Sequence, residues 1–319
     1  MHALIFSDYH FNLWKSHSIK NSRTKMQLET YEWLLKQAFA LKVPVFFPGD
    51  MFHTPDGLAN SLLSLTLPKI IELHLRYPVD MYAISGNHDF EGLNSYSKRS
   101  SSYINTLANT IKRFHVIDFD TVIVGDLAVH GVPYINFNQD YPDVVEGIKL
   151  VEGKFNILMN HADYKGQTDT NGIIIGRGEN ITKNMFDRFD MVWSGHVHKP
   201  GHLFGNVYSI GSPFQQRLSD MGGEFGYWTL KKNFKMQFHP LRRPEFRYYE
   251  DRKEVDNDYD YWVKKPKEEV TDSTARVTID DLGNRYKVLD QYLKYIHNRS
   301  KQKRKILRDI LTKVENDSV

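Results

Sequence analysis

Apolar residues along this chain recur in two rhythms that alternate. Short β-prone runs stand at Ala3 to Phe6, Val43 to Phe47, Val79 to Ile84, Asn156 to Met159 and Met191 to Trp193, and runs of that length and composition predict buried strands. Between the first three runs the spacing changes to three and four residues. Met26, Tyr31, Leu34, Leu35 and Phe39 form one such series, and Leu63, Leu67, Ile70, Ile71 and Leu75 the next, which predicts two helices with one apolar face each. Strands alternating with helices imply an α/β fold whose sheet carries helices on its faces, and such sheets bind ligands in the loops at the carboxyl ends of their strands.

From about Gly201 the rhythm becomes that of hairpins. His202-Leu203-Phe204 and Val207-Tyr208-Ser209-Ile210 flank Gly205-Asn206, and Tyr227 to Leu230 is followed by Phe234 to Phe238. Both pairs are expected to extend a second sheet. Asp251 to Asp272 is charged and poor in aliphatics, which reads as an exposed connection with Tyr259, Tyr261 and Trp262 as anchors. Beyond it come a strand at Ala275 to Ile279 and a helix through Tyr286, Leu289, Leu293 and Ile296. A last helix carries Ile306, Leu307, Ile310, Leu311 and Val314 behind Lys301, Lys303, Arg304 and Lys305. Three regions follow: a domain over 1–250, a small capping region over 251–298 and a basic C-terminal helix over 299–319.

Composition narrows the chemistry. There is no cysteine in the 319 residues, so disulfides and thiolate ligands are excluded and any metal must sit on His, Asp, Glu or Asn. No apolar stretch approaches the ~20 residues of a membrane span or forms a signal segment, so a soluble cytoplasmic protein is expected. The net charge of +3 says little; the basic C-terminal cluster reads either as a solvated charged face or as a segment that binds a partner or nucleic acid.

The strand ends carry the informative residues. In order they are Asp8-Tyr9-His10, Gly49-Asp50-Met51-Phe52-His53, Gly86-Asn87-His88-Asp89, His161 after Met159-Asn160, and Gly195-His196-Val197-His198. One Asp-x-His or His-x-His arises readily by chance, and a lone histidine is usually just a hydrogen-bonded residue. Five such clusters, each where a strand should stop, point instead to a two-metal site. Paired divalent ions need a shared carboxylate with mixed oxygen and imidazole ligands around it. Asp8, His10, Asp50, Asn87, His161, His196 and His198 supply that set, and its composition suits manganese, with iron or zinc as alternatives, over magnesium or calcium. Asp8 with His10, and His196 with His198, are expected to project from one side of extended segments. Gly172-Ile173-Ile174-Ile175-Gly176-Arg177-Gly178 lacks the lysine and hydroxyl of a nucleotide-binding loop; it reads as a rim of the site, where Lys165 and Arg177 would meet the substrate.

This order of motifs resembles the calcineurin-like metallophosphoesterase superfamily over roughly residues 1–215. The resemblance implies a two-sheet sandwich flanked by helices, with a small α+β capping region and a C-terminal helix. It also implies one ion on Asp8, His10, Asp50 and His198 and another on Asp50, Asn87, His161 and His196, with Asp50 as the bridge. By the same resemblance His88 protonates the leaving-group oxygen and Asp89 orients it, while His53 is a further positive group near the phosphate. The continuation Met51-Phe52-His53-Thr54-Pro55 lacks the Asp-Arg-Gly of phosphoprotein phosphatases. Together with Trp193-Ser194-Gly195-His196-Val197-His198 and Tyr208-Ser209-Ile210-Gly211-Ser212-Pro213-Phe214-Gln215, it is similar to the DNA double-strand-break repair nucleases, bacterial SbcD and the recombination endonuclease subunit of T-even-type phages. That branch implies a manganese-dependent exonuclease and endonuclease on DNA ends, working as a homodimer with an SbcC-type ATPase, in the host cytoplasm if the chain is a phage's. A phosphodiesterase for a small nucleotide, and a catalytically silent scaffold on the same fold, are the other readings.

Overall fold

The computed structural model describes residues 1–14, 22–53, 59–90, 102–135, 141–162, 164, 167–168, 181, 183–241, 244–255 and 260–265. The expected C-terminal strand and two helices, the basic cluster, the 172–178 loop, Lys165, Arg177, Tyr259, Thr54 and Pro55 lie outside the described residues. The chain divides into two compact units, 1–265 and 266–319.

The chain first lays down parallel strands β1 (Ala3–Ile5), β2 (Val45–Phe47), β3 (Met81–Ala83) and β4 (Phe114–Val116), joined through helices α1 (Ser22–Leu41), α2 (Asn60–Arg76) and α3 (Tyr103–Thr110). A second sheet follows from β5 (Thr121–Val124), β6 (Leu127–Val132), β7 (Phe155–His161), β8 (Met191–Gly195), β9 (Gly201–Phe204) and β10 (Val207–Ser209), with helix α4 (Tyr141–Glu146) between β6 and β7. Strands β11 (Gly226–Leu230) and β12 (Met236–Pro240) then return to the first sheet. Among the described residues each sheet has six strands, ordered β12-β11-β1-β2-β3-β4 and β5-β6-β7-β8-β10-β9.

Strand parity separates the cores, because successive side chains point to opposite faces. Ala3 and Ile5 of β1 join Phe46, Val129, Ile157, Met159, Trp193 and Trp228 in one apolar cluster contributed by both sheets. Leu4, Phe6, Val45 and Phe47 pack with Tyr31, Leu34 and Leu35 of α1 and Ile70 and Leu73 of α2. Leu158, Val192 and Val207 pack with Tyr141 and Val145 of α4. The result is helix, sheet, sheet, helix, with both strands and helices buried by alternating faces.

Two expectations change. The hairpin after Tyr227 does not extend the second sheet: β11 pairs antiparallel with β1, placing Trp228 opposite Ile5. The segment read as an exposed connection carries β14 (Tyr261–Lys264), which pairs in parallel with β13 (Phe246–Tyr249). Tyr261 is fully buried there, as an anchor should be. No helix among the described residues is long and apolar enough to cross a membrane.

Candidate metal centre

All five motifs reach one end of the sandwich. The first two loops are zipped together by backbone bonds: the amides of Tyr9 and His10 donate to the Asp50 carbonyl at 2.8 and 3.0 Å, and that of Asp8 to Gly49 at 3.0 Å. Gln27 Nε2 holds the carbonyls of Tyr9 and His10 from α1. The expected extended segments are absent at these positions. Asp8, His10, Asp50 and His196 adopt left-handed backbone, with φ of 51, 51, 62 and 85°, so the chain turns sharply at each and aims the side chains by local twist rather than by strand alternation.

The side chains converge tightly. Asp50 Oδ2 lies 3.4 Å from both His10 Nε2 and His161 Nε2. Asn87 Oδ1 is 3.1 Å from His161 Nε2 and 2.9 Å from His196 Nδ1, and the Nε2 atoms of His10 and His198 are 3.1 Å apart. Asp8 accepts the His196 amide on both oxygens, at 3.0 and 3.2 Å. Asp8 with His10 and His198 offers three ligand atoms within 4.8 Å of one another, as do Asp8, Asp50 and His161, and His10, His53 and His88. Lone pairs of this many nitrogens and oxygens crowd together favourably only around cations, so the donor set fits divalent ions. His161 Nδ1 donates to the Pro48 carbonyl at 2.7 Å, which leaves Nε2 facing the cluster, the arrangement that orients a metal-binding imidazole.

The motif glycines permit this approach. A Cβ on Gly86 would lie 2.2 Å from Asp50 Oδ1, and one on Gly195 would lie 2.2 Å from the Pro48 carbonyl and 2.7 Å from His161 Nδ1. Loops from both sheets therefore meet at backbone contact.

Asp89, expected to orient His88, is occupied differently. Its Oδ2 accepts the amides of Asp50 and Gly86 at 2.8 and 2.9 Å, and its Oδ1 those of Met51 and Phe52 at 2.9 and 3.3 Å. It is fully buried and clamps the Asp50 loop to the Asn87 loop. His88 Nδ1 instead donates to the His53 carbonyl, while the His88 amide donates to Asp50 Oδ1 at 2.8 Å.

Burial shapes the electrostatics. It would raise the Asp50 carboxyl, but the His161 and His10 imidazoles outweigh it and hold the group well below its usual range. Asp8 is raised by burial and by Asp50, and burial pushes His10 well down. Burial also lowers His161, yet Asp50, Asp8 and the Pro48 carbonyl carry it to about 9. The carboxylates thus draw positive charge to a site where a cation competes with protons. Burial and the neighbouring Asp50 raise Asp89 to about 7. His53 is driven down to about 4 by burial and by His88.

Other participants had no motif to mark them. Tyr134 stacks on His196 with centroids 5.8 Å apart and meets His161 edge-on. Asp220 Oδ2 lies 3.9 Å from His198 Nδ1 and accepts the amides of Gln216 and Arg217. Gln216 Nε2 in turn reaches the carbonyls of Asp8 and Tyr9, at 3.2 Å each. The Trp14 ring lies tilted against His53, with centroids 4.6 Å apart. A polar residue soon after Gly-Ser-Pro was the available signal for Gln216 and Asp220, but nothing local pointed back to β1.

Comparison with known proteins agrees with the motif reading. The chain is 27% identical over 253 residues to the SbcD component of the SbcCD nuclease of Staphylococcus saprophyticus subsp. saprophyticus, an alignment covering 68% of this chain and 65% of that protein. It therefore spans just under two thirds of that relative's length. A dimetal phosphatase from Danio rerio superposes with a TM-score of 0.46 at 9% identity, over 71% of this chain and 90% of that one. A 5′-nucleotidase precursor from Thermus thermophilus gives 0.35 at 12%, over 74% and 47%. Residues 1–200, which contain all five motif loops, match the calcineurin-like phosphoesterase family. Since that match takes in more than half of its length, this chain belongs to the calcineurin-like phosphoesterases.

Proposed function

We propose that this chain is a two-metal, manganese-dependent nuclease that processes DNA ends in recombination and repair. The observation that carries the reading is Asp50 Oδ2, set 3.4 Å from an imidazole on each side, the disposition of a carboxylate shared by two ions. Asp8, His10 and His198 would complete one ion's ligands, and Asn87, His161 and His196 the other's. Bound ions would activate water as nucleophile and offset charge on the phosphate. The chain's own residues do the rest. With Nδ1 committed to the His53 carbonyl, His88 presents Nε2, and protonated there it can deliver a proton to the leaving oxygen. Its amide bond to Asp50 fixes the distance between acid and bridge. Asp89 acts by holding both loops, and Asp220 by steadying His198.

DNA as substrate rests on the likeness to a nuclease component and on the Phe52-His53 continuation. By that likeness we assign a homodimer, an SbcC-type ATPase partner contacted through 299–319, and a cytoplasmic location. Linear duplex DNA with manganese should be degraded by the wild type, and His88→Ala should slow it by roughly 100-fold or more. Cleavage of bis(4-nitrophenyl) phosphate without any cleavage of DNA, unchanged by an ATPase partner, would overturn the nuclease reading.

A further inference from the structure

Five planar groups form a continuous run from the β13–β14 ribbon to the candidate proton donor: Tyr261, Arg23, Trp14, His53 and His88. Arg23, in the first turn of α1, is 2% exposed. Its guanidinium carbon lies 3.9 Å from the ring centroid of Tyr261 on β14 and 5.3 Å from that of Phe246 on β13. The same carbon lies 4.0 Å from the centroid of Trp14, whose ring rests on His53. His53 in turn is stacked on His88, with centroids 5.2 Å apart and planes 8° from parallel.

Each link has a physical reason. A charge taken out of water needs compensation, and the faces of Trp14 and Tyr261 supply it to Arg23 by cation–π attraction. A flat guanidinium lies along an aromatic face in a way that a lysine ammonium cannot copy. Trp14 Nε1 is buried with no hydrogen-bond partner among the described residues, so the indole is held by its ring contacts rather than by its N–H. At the far end of the run, His88 Nδ1 donates to the His53 carbonyl. One hydrogen bond fixes one atom of an imidazole and leaves its plane free to tip. The parallel His53 ring fixes the plane, and with it the direction of Nε2. Arg23 also donates to the Gln216 carbonyl at 3.2 Å, which joins the run to the side chain that reaches the Asp8 and Tyr9 carbonyls.

We propose that Arg23 and Trp14 are positioning residues for the proton donor: braced by Tyr261 and Phe246, they hold His53 against His88 and keep Nε2 aimed at the leaving oxygen. The β13–β14 ribbon then supports the chemistry, although it contributes no group to the reacting atoms. A staple that merely stabilised the fold would act differently, since loosening it would slow every substrate alike. The inference rests on the reading of His88 as general acid.

Leaving groups separate the two roles. 4-Nitrophenolate departs without a proton, whereas a deoxyribose oxygen must be protonated as it leaves. In single-turnover assays of the full chain with manganese, Trp14→Leu should slow cleavage of linear duplex DNA by roughly tenfold, as a misaligned acid would, and that of bis(4-nitrophenyl) phosphate by no more than about twofold. Trp14→Phe keeps a flat face and should recover most of the loss on DNA. Arg23→Lys keeps the charge without the plane and should show the same selective loss as Trp14→Leu, for which it stands in if that variant fails to fold. Added to His88→Ala, Trp14→Leu should slow DNA cleavage no further, because the group it aims is gone. Equal losses on the two substrates, or a further loss in the double variant, overturn the proposal. If His88→Ala itself slows both substrates equally, the acid reading falls and the positioning role with it. If His88→Ala shows the selective loss and the Trp14 and Arg23 variants do not, only the positioning role falls. If the wild type leaves DNA intact, the nuclease reading falls, and diphenyl phosphate, whose phenolate is the poorer leaving group, takes the place of DNA in the same comparison.

Discussion

Replacing Asp89 by asparagine separates a structural carboxylate from one that acts through His88. The two oxygens accept four loop amides, from Asp50, Gly86, Met51 and Phe52. An asparagine keeps one acceptor oxygen and turns an NH2 group toward the others, so about two of the amides lose their partner in a fully buried place. Each unpaired buried donor costs about 1–3 kcal/mol, giving a predicted destabilisation of about 4 kcal/mol, a large share of the ~5–15 kcal/mol that holds a typical domain together. Urea unfolding followed by circular dichroism measures this directly. It should be run at pH 8, above the Asp89 pKa of about 7, where the wild-type carboxylate is ionised. A variant that unfolds at the wild-type midpoint but loses kcat and shifts its pH profile would refute the clamp and restore Asp89 as the group that orients His88.

Other outcomes are equally open to measurement. His74 is bonded to the Tyr31 hydroxyl at 2.8 Å and driven by burial to about 4. Its folded pKa lies below the unfolded one, so the unfolded chain gains a proton first and stability falls as pH drops from 6.5 toward 4, by about 3 kcal/mol. His74→Gln should flatten that stretch of the stability–pH curve, and an unaltered slope would assign the acid sensitivity elsewhere. Manganese should raise the melting temperature of the wild type by mass action, whereas Asp50→Ala should hold neither ion by elemental analysis; retention of two would remove Asp50 from the bridge. Gly86→Ala would force a Cβ to within 2.2 Å of Asp50 Oδ1, displacing the carboxylate, and phosphodiester hydrolysis should fall roughly 100-fold; wild-type activity would mean that the loop relaxes freely.

What could be read from the sequence was local. The runs ending before Asp8, Asp50 and Asn87 are strands because Val, Ile and Phe fill both faces of a buried sheet, and α1 and α2 follow from apolar spacing that the helices bury. His161 was placed past a strand end, but it is the last residue of β7, a difference of two residues that leaves its direction unchanged. Sheet membership was not legible. Trp228 and Leu230 have the pattern of any amphipathic strand, and their choice of β1 over β10 is decided by contacts more than two hundred residues away along the chain. Strands β4, β5 and β6 also escaped notice, although Leu127 to Val132 is wholly buried, because no ligand motif drew attention to them. The same limit applies to the site. Its motif residues announce themselves by type and order, whereas Asp220, Gln216 and Tyr134 matter only through where the folded chain brings them.

The left-handed turns at Asp8, His10, Asp50 and His196 make this site a standing energetic debt. Each non-glycine residue held in that region costs about 1–2 kcal/mol, and here the four are side chains that the chemistry needs. Glycine would relieve the backbone at any of them, so Asp8→Gly or His10→Gly, measured without metal, should recover part of that strain and offset some of the packing lost with the side chain. A chain selected only for stability would drift toward such replacements. Their absence means the fold carries tension at its mouth in exchange for ligands aimed from turns too tight for strands to supply.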